Sequence, residues 1–272
     1  MNKINIKEIN LSALQKLNSQ GTLSIIYTDG NLCYKFLNGY YQNEKENLYR
    51  KFLEMEGIKI DNVLLPLGLI IENNQLVGYI MAYFQNSISL ADKFSKRCFN
   101  CNELLVYVEK ASRILRDIHN NGIICQDLSF RNILVDDKGN VAFCDMDSCA
   151  YKEYQTPFYS GLLLDFLVKY RKAKVYTHKD NDKLSIILSF YLTIYGDELQ
   201  RITKKQYHKL SDNINTLENL RETANLLVDK KQIIRDMPYL DEVIDLSDNY
   251  EINKKKILNF KDRGLNLIKN NF

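Results

Sequence analysis

The spacing of apolar positions divides the chain into a strand-rich beginning and a helix-rich remainder. Apolar runs at 9–17, 23–27 and 32–37 are separated by Asn18-Ser19-Gln20-Gly21 and Thr28-Asp29-Gly30-Asn31, and Asp-Gly between two β-rich runs signals a hairpin. Residues 43–56 are rich in helix formers and set Leu48, Phe52 and Met55 on one face, which predicts an amphipathic helix. Runs at 63–71 and 76–83, split by Glu72-Asn73-Asn74, predict a further strand pair. From about residue 88 the period becomes helical, with Leu104, Leu105, Val108, Ala111, Leu115 and Ile118 on one face of 102–120 and Gly122 placed to stop the helix. The stretch 148–180 is irregular and carries Tyr151, Tyr154, Tyr159 and Tyr170. Residues 182–195, DKLSIILSFYLTIY, are apolar on nearly every side, as in a helix buried at the centre of a domain. Polar helical segments and loops then alternate to Phe272.

Between the two long helices lies NGIICQDLSFRNILVDDKGNVAFCDMDSC, residues 121–149. Ile133-Leu134-Val135 and Val141-Ala142-Phe143 flank a polar turn and predict a buried hairpin. A hairpin brings its outer ends together, so Asp127 and Asn132 should converge with Asp145 and Asp147. Such an oxygen-rich cluster suits a hard cation such as Mg²⁺, which keeps several waters and needs only two or three protein oxygens beside substrate phosphates. Solvated turn residues would have the same composition.

Composition narrows the classes. With 272 residues, 45% of them hydrophobic, the chain can bury a large core as one large domain or two lobes. The balance of 37 basic and 34 acidic side chains, a net charge of +3, gives no support for a bulk nucleic-acid binder. No apolar run approaches the roughly 20 residues that span a bilayer, and the first residues lack a signal peptide's apolar stretch. A cytoplasmic protein with free thiols is the expectation for its six cysteines. Cys98 and Cys101 form a lone C-x-x-C without a second ligand pair, so no zinc site is expected.

Cys125-Gln126-Asp127-Leu128-Ser129-Phe130-Arg131-Asn132 resembles the protein kinase catalytic loop, H-R-D-L-x-x-x-N, and Asp145-Met146-Asp147 is similar to the metal-binding D-F-G. Ile118-His119-Asn120-Asn121-Gly122-Ile123-Ile124 resembles the lead-in to that loop. Asp182, fourteen residues before Gly196, resembles the start of the family's central helix, whose Asp braces the catalytic loop. The run Leu32-Cys33-Tyr34-Lys35-Phe36-Leu37 is similar to the V-A-I-K strand. The resemblance, over about residues 9–200, implies an α+β, bilobal kinase-like fold. A small antiparallel, β-rich lobe with one helix would cover 1–82, and a larger, mostly helical lobe 83–272. It further implies that Lys35 holds the α- and β-phosphates of ATP, that Asn132 and Asp145 hold Mg²⁺, and that Asp127 accepts or orients the proton of the attacking hydroxyl. Gly21 would lie in the phosphate-covering loop. Met81 would be the gatekeeper, with the backbone of Ala82 and Phe84 facing adenine. A glutamate on the helix 43–56 would pair with Lys35; Glu46 is the choice, with Glu44 and Glu54 open.

The departures from the family pattern matter as much. The phosphate-covering loop keeps one glycine, which allows less close backbone approach to phosphate. Cys125 stands for the usual His, where a packing role is expected, and Gln126 stands for the Arg that pairs with a phosphorylated activation loop, so loop phosphorylation should not be required. Arg131 occupies a place where tyrosine kinases often carry Arg, yet it could equally serve the local fold. Asp147 replaces Gly, either adding a metal-facing oxygen or capping the following turn. No A-P-E element closes the stretch 148–180. The implied function is an ATP- and Mg²⁺-dependent protein kinase favouring serine or threonine. A small-molecule kinase of the aminoglycoside or sugar type and a pseudokinase binding module are the alternatives.

Overall fold

The computed structural model describes residues 1–17, 24–95, 101–155, 158–170, 174–195, 237 and 239–243. Gly21, Cys98 and Gly196, with the readings attached to them, lie outside these. The fold is α+β. Its largest sheet joins β1 (Asn2–Asn5), β2 (Gln15–Lys16), β3 (Ser24–Thr28), β4 (Leu32–Leu37), β5 (Gly68–Glu72) and β6 (Gln75–Ala82) in the order β1-β5-β6-β4-β3-β2. Every pairing is antiparallel except β1 with β5, so the sheet is mixed rather than purely antiparallel. Part of the predicted strand 9–17 is instead a short helical turn over Leu11–Ala13, and only β2 within it is paired as a strand.

Strand β4 is internal, between β3 and β6, and its alternation turns Cys33 and Lys35 inward. Across the ladder Lys35 faces Tyr79, and Phe36 faces Gly78. A Cβ on Gly78 would fall far inside contact distance of the Lys35 carbonyl oxygen, so only glycine lets the two strands approach this closely. Helix α1 (Lys45–Glu54) packs on this sheet through Leu48 and Phe52, and Phe52 meets Tyr79 edge to face.

After β6 come β7 (Ser87–Ser89), α2 (Leu90–Lys93) and the twenty-residue α3 (Cys101–Asn120). Strands β9 (Ile133–Asp136) and β10 (Val141–Phe143) form the expected hairpin, with β7 beside β9. Its turn is held by Asp136, whose Oδ1 accepts from Lys138 N and Asn140 N, while Gly139 takes the left-handed backbone at φ 79°. A second small sheet pairs β8 (Ile123–Ile124) with β11 (Ala150–Tyr151), so this half carries more strand than the helical pattern predicted. Helix α4 (Gly161–Leu164) widens into a π-type turn over Asp165–Tyr170. Helix α5 (Lys179–Tyr195) buries Leu184, Ile186, Ile187, Leu188 and Phe190, as its all-round apolar sequence requires. A short α6 (Leu240–Val243) packs on α3.

A backbone tie links the residues before β5 to the hairpin. Leu64 N donates to Phe143 O and Phe143 N donates to Asn62 O, both at 2.8 Å, a parallel bridge beside Val63.

Candidate active site

The loop between β8 and β9 carries Asp127 and Asn132 and is braced from below. Asp182, fully buried near the start of α5, accepts Cys125 N at 2.6 Å on Oδ2 and Gln126 N at 2.9 Å on Oδ1. His119 Nε2 lies 3.0 Å from the same Oδ2, and His119 Nδ1 lies 2.9 Å from the Tyr239 hydroxyl. These bonds hold Gln126 in the left-handed region at φ 60°, uncommon for a side chain of that size. Asn132 Nδ2 donates to Asp127 O at 2.6 Å, and Cys144 N donates to Asn132 O at 3.0 Å. The hairpin thereby fixes Asn132 next to the residue before Asp145. Cys125 is a buried thiol whose pKa is pushed well up by burial, which suits packing and not nucleophilic chemistry.

Asp145 follows β10 in the left-handed conformation, φ 64°. Its carboxylate pairs with Lys35 Nζ and is 39% exposed. Asp147 is 1% exposed and accepts Lys35 Nζ at 2.7 Å and Tyr79 OH at 2.8 Å on Oδ1, and Tyr41 OH at 2.5 Å on Oδ2. Burial opposes the charge on Lys35, but Asp145 and Asp147 outweigh it and raise its pKa. Burial likewise works against the Asp147 carboxylate; Lys35 and the two tyrosine hydroxyls prevail and hold it well below the ordinary range. Among the described residues no cation lies at hydrogen-bond distance from the Asp127 carboxylate. Burial first, then the charges of Asp145 and Asp147, push its pKa up to about 6.

Three of the sequence-predicted groups thus share one electrostatic neighbourhood with Lys35: Asp127, Asp145 and, through the loop backbone, Asn132. Met81 is buried near the end of β6 opposite Cys33, Ala82 is exposed, and the Phe84 carbonyl accepts the Ser87 hydroxyl at 2.6 Å. Glu46 is not brought to Lys35. Its side chain is 70% exposed and pairs with Arg50 at 2.7 Å one turn on, because that face of α1 looks into solvent. Glu44 accepts from Asn47 Nδ2, and Glu54 pairs with Lys152, so the other helix candidates are engaged elsewhere too.

Sequence reasoning missed what α1 does present. Lys51 is fully buried and donates to Asp147 O at 2.7 Å and Cys149 O at 2.5 Å. A signal was available. Lys51 lies three residues after Leu48 and four before Met55, a charge on the apolar face of an amphipathic helix. The anchoring tyrosines, 41 and 79, carried no such mark.

Among curated proteins, no sequence matches the chain. A family model described as protein tyrosine and serine/threonine kinase matches residues 27–240, which takes in the strand of Lys35, the catalytic loop, the hairpin and the central helix. With well over half its length so matched, the chain belongs to the protein tyrosine and serine/threonine kinase family.

Proposed function

We propose that the chain is an ATP- and Mg²⁺-dependent protein kinase, with residues 1–82 as a nucleotide-binding lobe and 83–272 as the lobe of the catalytic and metal loops. The observation that carries this reading is the meeting of Lys35 with Asp145 beside the braced loop of Asp127 and Asn132. Phosphoryl transfer asks mainly for alignment and for neutralised charge.

The donor set fits a magnesium ion shared with a nucleotide. Among the described residues no group of three or more His, Cys, Asp or Glu side chains could hold a metal by itself. Asn132 spends its amide nitrogen on Asp127 O, which leaves its amide oxygen for a cation, and the exposed carboxylate of Asp145 is a second hard donor. When bound, Mg²⁺ would neutralise charge on the phosphate oxygens. Lys35 keeps its charge and attracts the α- and β-phosphates. Asp127, poised near neutrality, takes the proton of the attacking hydroxyl. An aliphatic hydroxyl, far less acidic than a phenol with its pKa of about 10, gains most from such a base, which favours serine or threonine as acceptor. Gly21, Met81 and the backbone of Ala82 and Phe84 complete the proposed nucleotide site.

The test is incubation with γ-labelled ATP, Mg²⁺ and either a generic protein substrate or a panel of aminoglycosides and sugars. Label on protein that disappears in Asp127→Ala supports the proposal. Label on the small molecules alone replaces it with a small-molecule kinase, and ATP binding without turnover replaces it with a binding module. In a thermal melt, Asp145→Ala abolishes the Mg²⁺-dependent part of ATP stabilisation; an unchanged shift would refute the metal assignment. Among the described residues no helix is long and apolar enough to cross a membrane, and a cytoplasmic location remains part of this proposal.

A further inference from the structure

We propose that Asp147 is the positioning residue for Lys35, doing from the metal-side loop what the family resemblance assigned to a glutamate on α1. The inference rests on the phosphate-binding role proposed for Lys35 and adds the residue that aims it.

The helix cannot do this with the side chains it turns inward. Glu44, Glu46 and Glu54 are engaged by Asn47, Arg50 and Lys152. The buried polar group on α1 is Lys51, and a second cation would repel Lys35 rather than hold it. Asp147 lies between the two lysines. Its carboxylate faces Lys35, and its backbone carbonyl takes Lys51.

Asp147 is also built to stay where it is. Three donors from separate elements, Lys35 on β4, Tyr79 on β6 and Tyr41 just ahead of α1, converge on its two oxygens. Tyr41 and Tyr79 are themselves buried, and Tyr41 packs on Phe158 at 5.1 Å. A carboxylate so satisfied cannot rotate away without leaving buried hydroxyls unpaired. Asp145 differs in being part-exposed, with Lys35 as the cation that its carboxylate meets among the described residues. When Asp145 turns to a cation, Asp147 still holds Lys35 toward the phosphates. With Asp145 as its only partner, Lys35 would compete with the cation for the same oxygens. Asp147 thus neither binds the metal nor merely caps a turn, the two roles its sequence position suggested.

The full-length chain is compared with Asp147→Asn, Asp145→Asn and Glu46→Gln. In nucleotide-free melts Asp147→Asn lowers the midpoint more than Asp145→Asn, because the first carboxylate is fully buried under three donors and the second is part-exposed; the reverse order overturns the inference. Calorimetry then gives dissociation constants for ATP with Mg²⁺ and for adenosine, which has no phosphates for Lys35 to reach. Asp147→Asn weakens ATP by on the order of tenfold, or about 1.4 kcal/mol, and leaves adenosine within about twofold. A purely structural role would weaken both ligands together and so overturn the inference. So would a loss of ATP affinity in Glu46→Gln that Asp147→Asn does not share. If Asp147→Asn does not fold, Tyr41→Phe removes one donor to the same carboxylate and keeps the ring, and the same selective loss for ATP is required of it. A wild-type chain that binds neither ligand refutes the nucleotide reading itself, and Asp147 as the anchor of Lys35 is then decided by the melts.

Discussion

Replacing Asp182 by asparagine removes a brace from beneath the catalytic loop. The fully buried carboxylate meets three partners: Cys125 N at 2.6 Å, Gln126 N at 2.9 Å and His119 Nε2 at 3.0 Å. An amide has one acceptor oxygen, and its NH₂ would face a backbone N–H that is itself a donor. At least one buried N–H then loses its partner, at about 1–3 kcal/mol, and the remaining bond loses its charge assistance. A total of about 3 kcal/mol is expected, within the range of broken buried networks. For a chain of this size each kcal/mol moves the melting temperature by about 2–4 °C, so the variant should melt about 6–12 °C lower. Calorimetry or urea unfolding at constant m-value reads this directly. The damage is also local: without the carboxylate, Gln126 relaxes from its left-handed backbone and carries the adjacent Asp127 with it. Phosphoryl transfer should therefore fall by more than ATP affinity, since Lys35 stands on a different strand. A melting point within about 2 °C of the parent, or equal losses in affinity and turnover, would refute the reasoning.

Asp127 accepts a proton only when ionised, so kcat/KM for ATP, which reports the free chain, should fall as pH drops through about 6 and stay flat above it. A limb near 4 would show that burial and the neighbouring carboxylates do not act on this group. Gly78→Ala should cost about 1–3 kcal/mol through forced separation of β4 and β6, since the Lys35 carbonyl occupies the space; an unchanged circular-dichroism melt would contradict that packing. Phosphatase treatment should leave the transfer rate within about twofold, because Gln126, at the place of the family's Arg, offers no charge to a phosphate and is held in a neutral cluster. Thr177 accepts Gln126 Nε2 at 3.0 Å, donates to Gln155 Oε1 at 3.0 Å and meets Tyr159 OH at 3.1 Å. Loss of most activity on dephosphorylation would show that a modified residue matters after all.

The elements legible in the sequence were those whose burial pattern is written in their own residues. Strand β4, helix α3, the β9–β10 hairpin and the buried helix α5 all follow from apolar spacing. Strand β1 did not, because Asn-Lys-Ile-Asn carries no alternation of that kind; it exists through backbone pairing with a distant strand. The run 9–17 failed for the opposite reason. Its apolar residues are spaced like a strand, but Leu11 and Ala13 lie exposed on a short helical turn. In the candidate site, the resemblance singled out Lys35, Asp127, Asn132 and Asp145, which the fold brings near one another, and it pointed to the brace that Asp182 makes to the loop. The partnership of Lys35 with Asp147 was not legible, since the apolar spacing of α1 shows which face turns inward but not that an acid 112 residues away from Lys35 will meet it.

The tie between Asn62–Leu64 and Phe143 constrains how the six-stranded sheet can swing over the hairpin. The covalent path through Ala82–Phe84 is one line of attachment, and the paired hydrogen bonds at Phe143 are a second. Lys35 and Tyr79, bonded to Asp147 from the middle of the sheet, and Lys51, bonded to it from α1, add further attachments just beyond the hairpin. Strands β2 and β3, at the opposite edge of the sheet from β5, carry none of these bonds. The sheet is thus fastened at its centre and on its β5 side, and a displacement of the far edge would strain these bonds least.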